Sequence, residues 1–224
     1  MTNKETKINF GGIELILSDL EKSETLHHLE REVCKQDEYG IKDIILNDDD
    51  IVIDIGANVG LVSIFLAKKN PNVKIYSYEA HPYTYQNLVK NVELNSVTNV
   101  ITNNLAVYSI DNEMLEISLD VKNTGSSSCF KKDSGFLVET VPTICLDSII
   151  TNNNIKKIKF LKVDCEGAEF DIFENSKLIH EIEIENIGIE IHSFMKSHGK
   201  DVELLKTLIK KISINNPKIK VYGK

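Results

Sequence analysis

Short apolar runs alternate with amphipathic stretches along this chain, and the two periods separate strands from helices. Residues 8–10 and 13–17 are apolar and flank Gly11-Gly12, so an N-terminal β-hairpin is expected. Ser23 stands where it can cap a helix carrying Leu26, Leu29 and Val33 on one face. From Ile51 a strand-then-helix grammar takes over. Residues 51–55 read as a buried strand and Gly56 to Gly60 as a turn. A helix follows through Leu61, Ile64, Phe65 and Ala67. Residues 73–78 form a second strand ending at Glu79. Pro82 suits the first turn of a helix whose apolar stripe is Tyr85, Leu88, Val89 and Val92. Residues 100–107 read as a third strand.

The grammar is interrupted between Glu113 and Val141. Met114, Ile117 and Leu119 lie in one strand-like run and residues 137–141 in another. The polar stretch between them, Asn123 to Ser128, reads as a mobile, solvated surface loop. Alternation then resumes, with a strand over 158–163 ending at Asp164 and a helix over 169–179. A strand over 184–191 ends at His192. His198-Gly199 reads as the start of the last helix, marked by Val202, Leu205, Leu208, Ile209 and Ile212, and a closing strand runs over 218–222. Such alternation implies an α/β fold around a mostly parallel, doubly wound sheet. One domain is expected over residues 1–224, with a hairpin-and-helix extension over 1–45 and the core over 46–224.

Composition narrows the function classes. A chain of 224 residues with 42% hydrophobic content can bury a sizeable core. Its net charge of -8 argues against a nucleic-acid partner, which demands clustered Lys and Arg. No apolar run is long enough for a membrane span, and the first residues lack the apolar core of a signal peptide. Cys34, Cys129, Cys145 and Cys165 match no zinc spacing. A cytoplasmic protein is expected. The sequence does not speak to its oligomeric state.

Ligands of doubly wound sheets bind at the carboxyl ends of the strands, so the residues that follow the strands carry the candidate chemistry. Gly56 and Gly60 permit a tight turn and close backbone approach to a ligand. Glu79, at the end of the next strand, can accept both hydroxyls of a ribose. A dinucleotide site wants bare backbone where this turn has Asn58. S-adenosylmethionine carries no pyrophosphate: Asp54 can face its cationic end, and backbone amides near Asn58 can meet its carboxylate. Two alternatives stand beside this reading, an NAD(P)-dependent oxidoreductase and a non-catalytic nucleoside-binding protein.

Asp54-Ile55-Gly56-Ala57-Asn58-Val59-Gly60 resembles the first motif of the FkbM family of methyltransferases. Leu161 to Glu169 resembles its K-[IV]-D-x-E-G-x-E segment, Thr143 to Ser148 its T-x-x-L-D element, and Glu38-Tyr39 a further family feature. The resemblance implies a Rossmann-like class I methyltransferase fold, commonly seven-stranded, and methyl transfer to oxygen. The typical acceptors are hydroxyls of sugars, glycans or glycosylated metabolites. It implies that Glu38, Asp54, Gly56, Ala57, Asn58, Gly60 and Glu79 hold S-adenosylmethionine. Asn104, Ala106 and Val107 would border its adenine, and Asp164 would lie near its methionine end. The chain departs from the pattern at its C-terminus, where there is room for one strand rather than a closing pair.

Methyl transfer to a hydroxyl needs alignment and a base that takes the proton. His192 is the first candidate base, since an unperturbed pKa of roughly 6.5 suits the task. Glu166 and Glu190 are alternatives, and on a strand Glu190 and His192 share a face. The same groups are able to hold Mg²⁺, but no dense carboxylate motif appears and a metal-free pocket is expected. Cys165, between Asp164 and Glu166, is expected to be a poor nucleophile because neighbouring negative charge raises a thiol's pKa. His27 and His28 read as plain surface histidines.

Overall fold

The computed structural model describes residues 2–130, 133 and 135–212, and the backbone of 218–223. The N-terminal hairpin pairs β1 (Asn3–Phe10) with β2 (Ile13–Leu20), antiparallel from Asn3↔Leu20 to Phe10↔Ile13. Gly11 and Gly12 both have positive φ, the requirement of a tight two-residue turn with the strand twist of a hairpin. A short helix α1 (Thr25–Leu29) follows and widens into a π-helical turn, Glu30–Lys35. Ser23 does not occupy the cap position. Glu24 does, and the Ser23 hydroxyl accepts the Thr25 amide just ahead of the helix.

The core sheet is built from β3 (Ile51–Ile55), β4 (Lys74–Tyr78), β5 (Val100–Asn103), β11 (Phe160–Val163), β13 (Asn186–Ile191) and β14 (Lys218–Gly223). Its order is β14-β13-β11-β3-β4-β5, and every pairing is parallel. Counted along the core, that is the doubly wound order 3-2-1-4-5-6, and the order reverses between β3 and β11. A ligand crevice is therefore expected beyond Ile55 and Val163. Among the described residues the sheet closes with β14 beside β13. Breaks at Lys159 and Glu185 cut two-residue pieces, β10 (Lys157–Ile158) and β12 (Glu183–Ile184), off β11 and β13. The two residues at the breaks pair with each other at 2.7 Å.

On one face, α4 (Leu146–Asn152), α5 (Glu169–Asn175) and α6 (Val202–Ile212) pack over the sheet. The helix expected over 169–179 stops at Asn175 and resumes as a single 3-10 turn at Leu178–His180, and α4 had no counterpart in the sequence reading. Gly199 does not start the last helix. At φ 77° it ends a 3-10 turn, Ser193–His198, and α6 begins at Val202.

The other face carries α2 (Leu61–Lys69) and α3 (Pro82–Leu94). Every residue from Leu61 to Ala67 is buried. A helix apolar all round needs a cover on its outer side, and the hairpin supplies it, with Phe10 stacked on Phe65 at 4.0 Å. The stripe of α3 differs from the sequence reading. Thr84, Asn87, Leu88 and Asn91 are its buried positions, while Tyr85, Val89 and Val92 are half-buried. The reason is a strand edge. The amide of Asn91 accepts the Ser18 N–H at 2.7 Å and donates to the Ser18 carbonyl at 3.1 Å. Asn95 does the same for Ile16, at 3.0 and 2.6 Å. Two asparagines thus satisfy the free edge of β2 as a neighbouring strand would.

A second sheet, ordered β6-β9-β7-β8, comes from β6 (Ala106–Tyr108), β7 (Met114–Asp120), β8 (Asn123–Ser128) and β9 (Leu137–Cys145). The strand expected over 100–107 is split at Asn104-Leu105, so β5 serves one sheet and β6 the other. Asn123 to Ser128 is not a mobile loop but strand β8. The Thr124 hydroxyl donates to Asp19 at 2.6 Å, and the Gly125 amide donates to the Thr25 hydroxyl at 3.0 Å. No helix among the described residues is long and apolar enough to cross a membrane.

Candidate active site

The turn after β3 is shaped by contact with β11. Gly56 has φ 73°, and a Cβ there would lie 1.7 Å from the Asp164 carbonyl oxygen, so only glycine fits. Gly60, at φ 93°, lets the start of α2 press on Leu88. Asn58 is also left-handed, at φ 52°.

The amides of this turn are all used within the protein. Gly56 and Ala57 both donate to the Tyr78 carbonyl, Asn58 to Glu79 Oε2, Val59 to Asn58 Oδ1 and Gly60 to the Ala57 carbonyl. The turn offers no cradle of spare N–H groups for a pyrophosphate, nor for the carboxylate that the sequence reading assigned to amides near Asn58. Ala57 and Gly60 act by closing the turn.

Asp54 does not face a ligand either. It is fully buried, its Oδ2 accepts the Ser63 hydroxyl at 2.6 Å, and its Oδ1 lies 3.3 Å from the Lys162 ammonium. Lys162 is the residue that organises this region, and the sequence reading passed over it. Its ammonium donates to the Gly56 carbonyl at 2.7 Å and sits 3.7 Å from Asp164 and 5.2 Å from the Tyr39 ring centroid. Burial works against the charge, but Asp54 and Asp164 outweigh it and hold the Lys162 pKa above its ordinary value. A lysine inside the apolar run Phe160-Leu161-Lys162-Val163 was the available signal.

Two clefts meet beyond the strand ends. The first is a slot lined by Gly56, Asn58, Glu79, Ala106, Val107 and Asp164, with Leu115 and Ile117 from the second sheet. Glu79 accepts one N–H on each oxygen, from Asn58 at 2.9 Å and His81 at 3.0 Å. A carboxylate has about four lone-pair sites, so each oxygen keeps capacity for a hydroxyl. Burial raises the Glu79 pKa to about 7 despite those two bonds. Asn104 donates to the Glu79 and Ala80 carbonyls at 2.9 and 2.7 Å and so shapes the end of β4, while its neighbour Leu105 lines the slot. Asp164 and Glu166 are the other acids in the slot's lining.

The second cleft is wider, about 490 Å³, and mixed polar and aromatic. Arg31, Tyr39, Asn123, Glu190, His192 and Phe194 contribute to its lining, and both clefts share Asn58, Gly125, Asp164 and Glu166. Of the pair Glu38-Tyr39, it is Tyr39 that reaches the cleft, donating its hydroxyl to Asp164 Oδ2 at 2.7 Å. Glu38 is half-buried beside it. Gly125 matters here, because a Cβ would stand 2.9 Å from Asn58 Nδ2, so glycine lets β8 lie over the turn. His28 lines the wider cleft, where Arg31 reaches its ring at 3.1 Å, and so is not the plain surface residue expected.

His192 is only 5% exposed and sits among four carboxylates. Its Nδ1 lies 3.1 Å from Glu169. Its Nε2 lies 3.5 Å from Glu166, 3.7 Å from Glu190 and 3.9 Å from Asp164. Burial acts to lower its pKa, but Glu166 and Glu169 overcome it and raise it to about 11. That is far from the value near neutrality expected of a free histidine base. Glu169, fully buried and absent from the sequence candidates, also accepts the amides of His192 and Gly167. Cys165 is held well above its ordinary pKa, first by burial and then by Glu169 and Asp164. The expected direction holds, with desolvation rather than neighbouring charge as its main cause.

The family described as "Methyltransferase FkbM domain" matches residues 54–213. "Methyltransferase 1" of Beauveria bassiana is 25% identical over 163 residues, 64% of this chain and 65% of that protein. "Hexuronic acid methyltransferase AglP" of Haloferax volcanii is 22% identical over 127 residues, 57% of this chain and 50% of its own length. This chain thus spans just under two thirds of the first protein and half of the second. Among solved structures, M. jannaschii TYW2 in complex with AdoMet superposes with a TM-score of 0.32 at 22% identity, covering 49% of each chain.

Proposed function

The chain belongs to the methyltransferase FkbM domain family, whose cofactor is S-adenosylmethionine, and from that premise we propose that it methylates a hydroxyl of a sugar, glycan or glycosylated metabolite. The observation that carries this reading is the shared wall of the two clefts, Asn58, Gly125, Asp164 and Glu166. A cofactor in the slot would present its reactive end at that wall, to an acceptor in the wider cleft.

The lining of the slot suits the cofactor's parts by its chemistry. Val107, Leu115 and Ile117 make an apolar bed for a base, and Glu79 keeps acceptor capacity for ribose hydroxyls. Asp164, also in the lining, supplies negative charge suited to a sulfonium and an ammonium. The bound cofactor supplies a methyl group on a cationic sulfur leaving group. The wider cleft, lined by Glu190, Glu166, Asn123 and Arg31, suits a partner bearing many hydroxyls. That a relative is named a hexuronic acid methyltransferase agrees with this acceptor class.

Of the three candidate catalytic residues, we assign the base to Glu166, which lines both clefts, whereas Glu190 and His192 line the wider one. Glu166 sits at φ 52°, a costly conformation for a non-glycine residue, and the Ser128 hydroxyl holds its carbonyl at 2.8 Å. The Glu166 carboxylate would take the proton of an acceptor O–H held at that wall and so leave its oxygen as the nucleophile. His192, fixed by Glu169, positions the carboxylates around it.

The test is transfer of labelled methyl from S-adenosylmethionine to a panel of monosaccharides, uronic acids and glycosides. The label is expected in an O-methyl ether or ester, and its appearance only on nitrogen or carbon acceptors would overturn the acceptor class.

A further inference from the structure

We infer that Asp164, Glu190 and His192 form a binding site for one divalent cation, at the wall where the two clefts meet. Each of the three offers a ligand atom, and these atoms all lie within 4.8 Å of one another. The separations themselves are informative. His192 Nε2 stands 3.7 Å from Glu190 Oε1 and 3.9 Å from Asp164 Oδ1, beyond hydrogen-bond reach. Ligands about 2.0–2.4 Å from a common ion stand roughly 3–4.8 Å from each other, so these atoms are spaced as ligands of one centre, with Glu166 Oε2 beside them at 3.5 Å from Nε2.

The surroundings are those of a metal-binding histidine. One ring nitrogen, Nδ1, is taken by Glu169 at 3.1 Å, and Glu169 is itself fully buried and fixed by the amides of Gly167 and His192. A carboxylate behind the imidazole is the usual device that orients such a ligand, and here it aims Nε2 at the carboxylates. The two oxygens of Asp164 are divided in the same sense. Oδ2 receives the Tyr39 hydroxyl at 2.7 Å and the Lys162 ammonium at 3.7 Å, while Oδ1 is the atom turned toward His192. Tyr39 and Lys162 thus hold the Asp164 carboxylate in one orientation.

Two carboxylates and one imidazole favour a cation of the Mg²⁺ or Mn²⁺ class, which accepts oxygen ligands and leaves further positions for other oxygens. Those positions face the wider cleft, which Glu190 and His192 line. Neighbouring hydroxyls of a sugar are ligands of the right kind to fill them, and a coordinated hydroxyl loses its proton more readily. Glu166, whose Oε2 lies 3.5 Å from His192 Nε2, stands beside the three ligands as the group that would take that proton. What the cation does in turnover rests on the function proposed above; that it binds does not.

The experiment titrates the full chain, freed of metal by chelation, with Mn²⁺ alone and reads free Mn²⁺ by electron paramagnetic resonance. One Mn²⁺ per chain is expected, with affinity falling at least about tenfold in Glu190→Gln and in Asp164→Asn. Calorimetry with S-adenosylhomocysteine shows whether Glu190→Gln remains folded, and Asp164→Asn is the second variant should it not. A wild-type chain that binds no Mn²⁺ at millimolar concentration overturns the site, as does Mn²⁺ affinity unchanged in both variants. Mn²⁺ binding without hydroxyl methylation would count against the proposed acceptor and leave the site standing. Full methylation under chelator, with no Mn²⁺ bound, would do the reverse.

Discussion

The Lys162 ammonium donates to the carbonyl of Gly56 at 2.7 Å, tying the middle of β11 to the first residue of the turn that follows β3. Through the same atom it neutralises Asp54 and approaches Asp164. The two strand ends on either side of the sheet's switch point are therefore held by one buried cation, and the wall between the clefts is built on them.

Removing that cation without removing its partner is costly, because Asp54 would be left as an unpaired buried charge. Lys162→Met is expected to destabilise the fold by about 3–5 kcal/mol, seen as a lowered thermal midpoint and denaturant midpoint. An unchanged midpoint would show that Asp54 is satisfied without Lys162.

Gly56→Ala places a methyl group 1.7 Å from the backbone oxygen of Asp164, the residue after β11, which cannot swing aside as a side chain would. Loss of S-adenosylhomocysteine binding is expected, together with a lower yield of folded protein. Gly125→Ala is the contrast. Its Cβ meets the end of the Asn58 side chain at 2.9 Å, and a side chain can move. Calorimetry should find binding weakened there but retained.

The pH dependence of cofactor binding follows from Glu79. Its pKa is 4.5 ordinarily and about 7 in the fold, raised chiefly by burial. The unfolded chain gives up this proton first. Its contribution to stability is therefore complete below about pH 4.5, declines as pH rises to about 7, and is constant above that. Ribose hydroxyls donate to the ionised form, so binding moves the opposite way. S-adenosylhomocysteine should bind about tenfold more weakly at pH 6 than at pH 8. Glu79→Gln should weaken binding at pH 8 by about 1–3 kcal/mol and flatten the profile.

Asn91 links the hairpin to the glycine turn, since its amide donates to both the Ser18 and Val59 carbonyls and accepts the Ser18 N–H. Asn91→Leu leaves those groups buried without partners, at about 1–3 kcal/mol each. Hydrogen exchange should show faster opening at the Ser18 amide, while the β3 and β11 amides change less. Equal exchange in variant and wild type would mean that the hairpin is held by its apolar face alone.

Much of the fold was legible because its signals are local. The Gly11-Gly12 hairpin, the uniformly apolar Leu61 to Ala67 and the strand over Ile51–Ile55 depend on period and on glycine positions. The α3 stripe misled for an equally physical reason. Asparagine reads as surface, yet Asn91 and Asn95 are buried because a strand edge needs their amides. Ser126 to Ser128 read as loop because polar composition cannot reveal that the hairpin end and α1 anchor β8.

The site divides along the same line. The sequence by itself determined which residues follow the parallel strands, and so brought Gly56, Asn58, Glu79, Asp164, Glu166, Glu190 and His192 to one end of the sheet. Strand direction and side-chain period are properties of neighbouring residues. Only the tertiary structure decided what each one does there. It buried Asp54 against Lys162, spent the turn's amides within the protein, and surrounded His192 with carboxylates from three segments. Burial and charge act through space, between residues as far apart in sequence as Tyr39 and Asp164, and no window of sequence contains both members of such a pair.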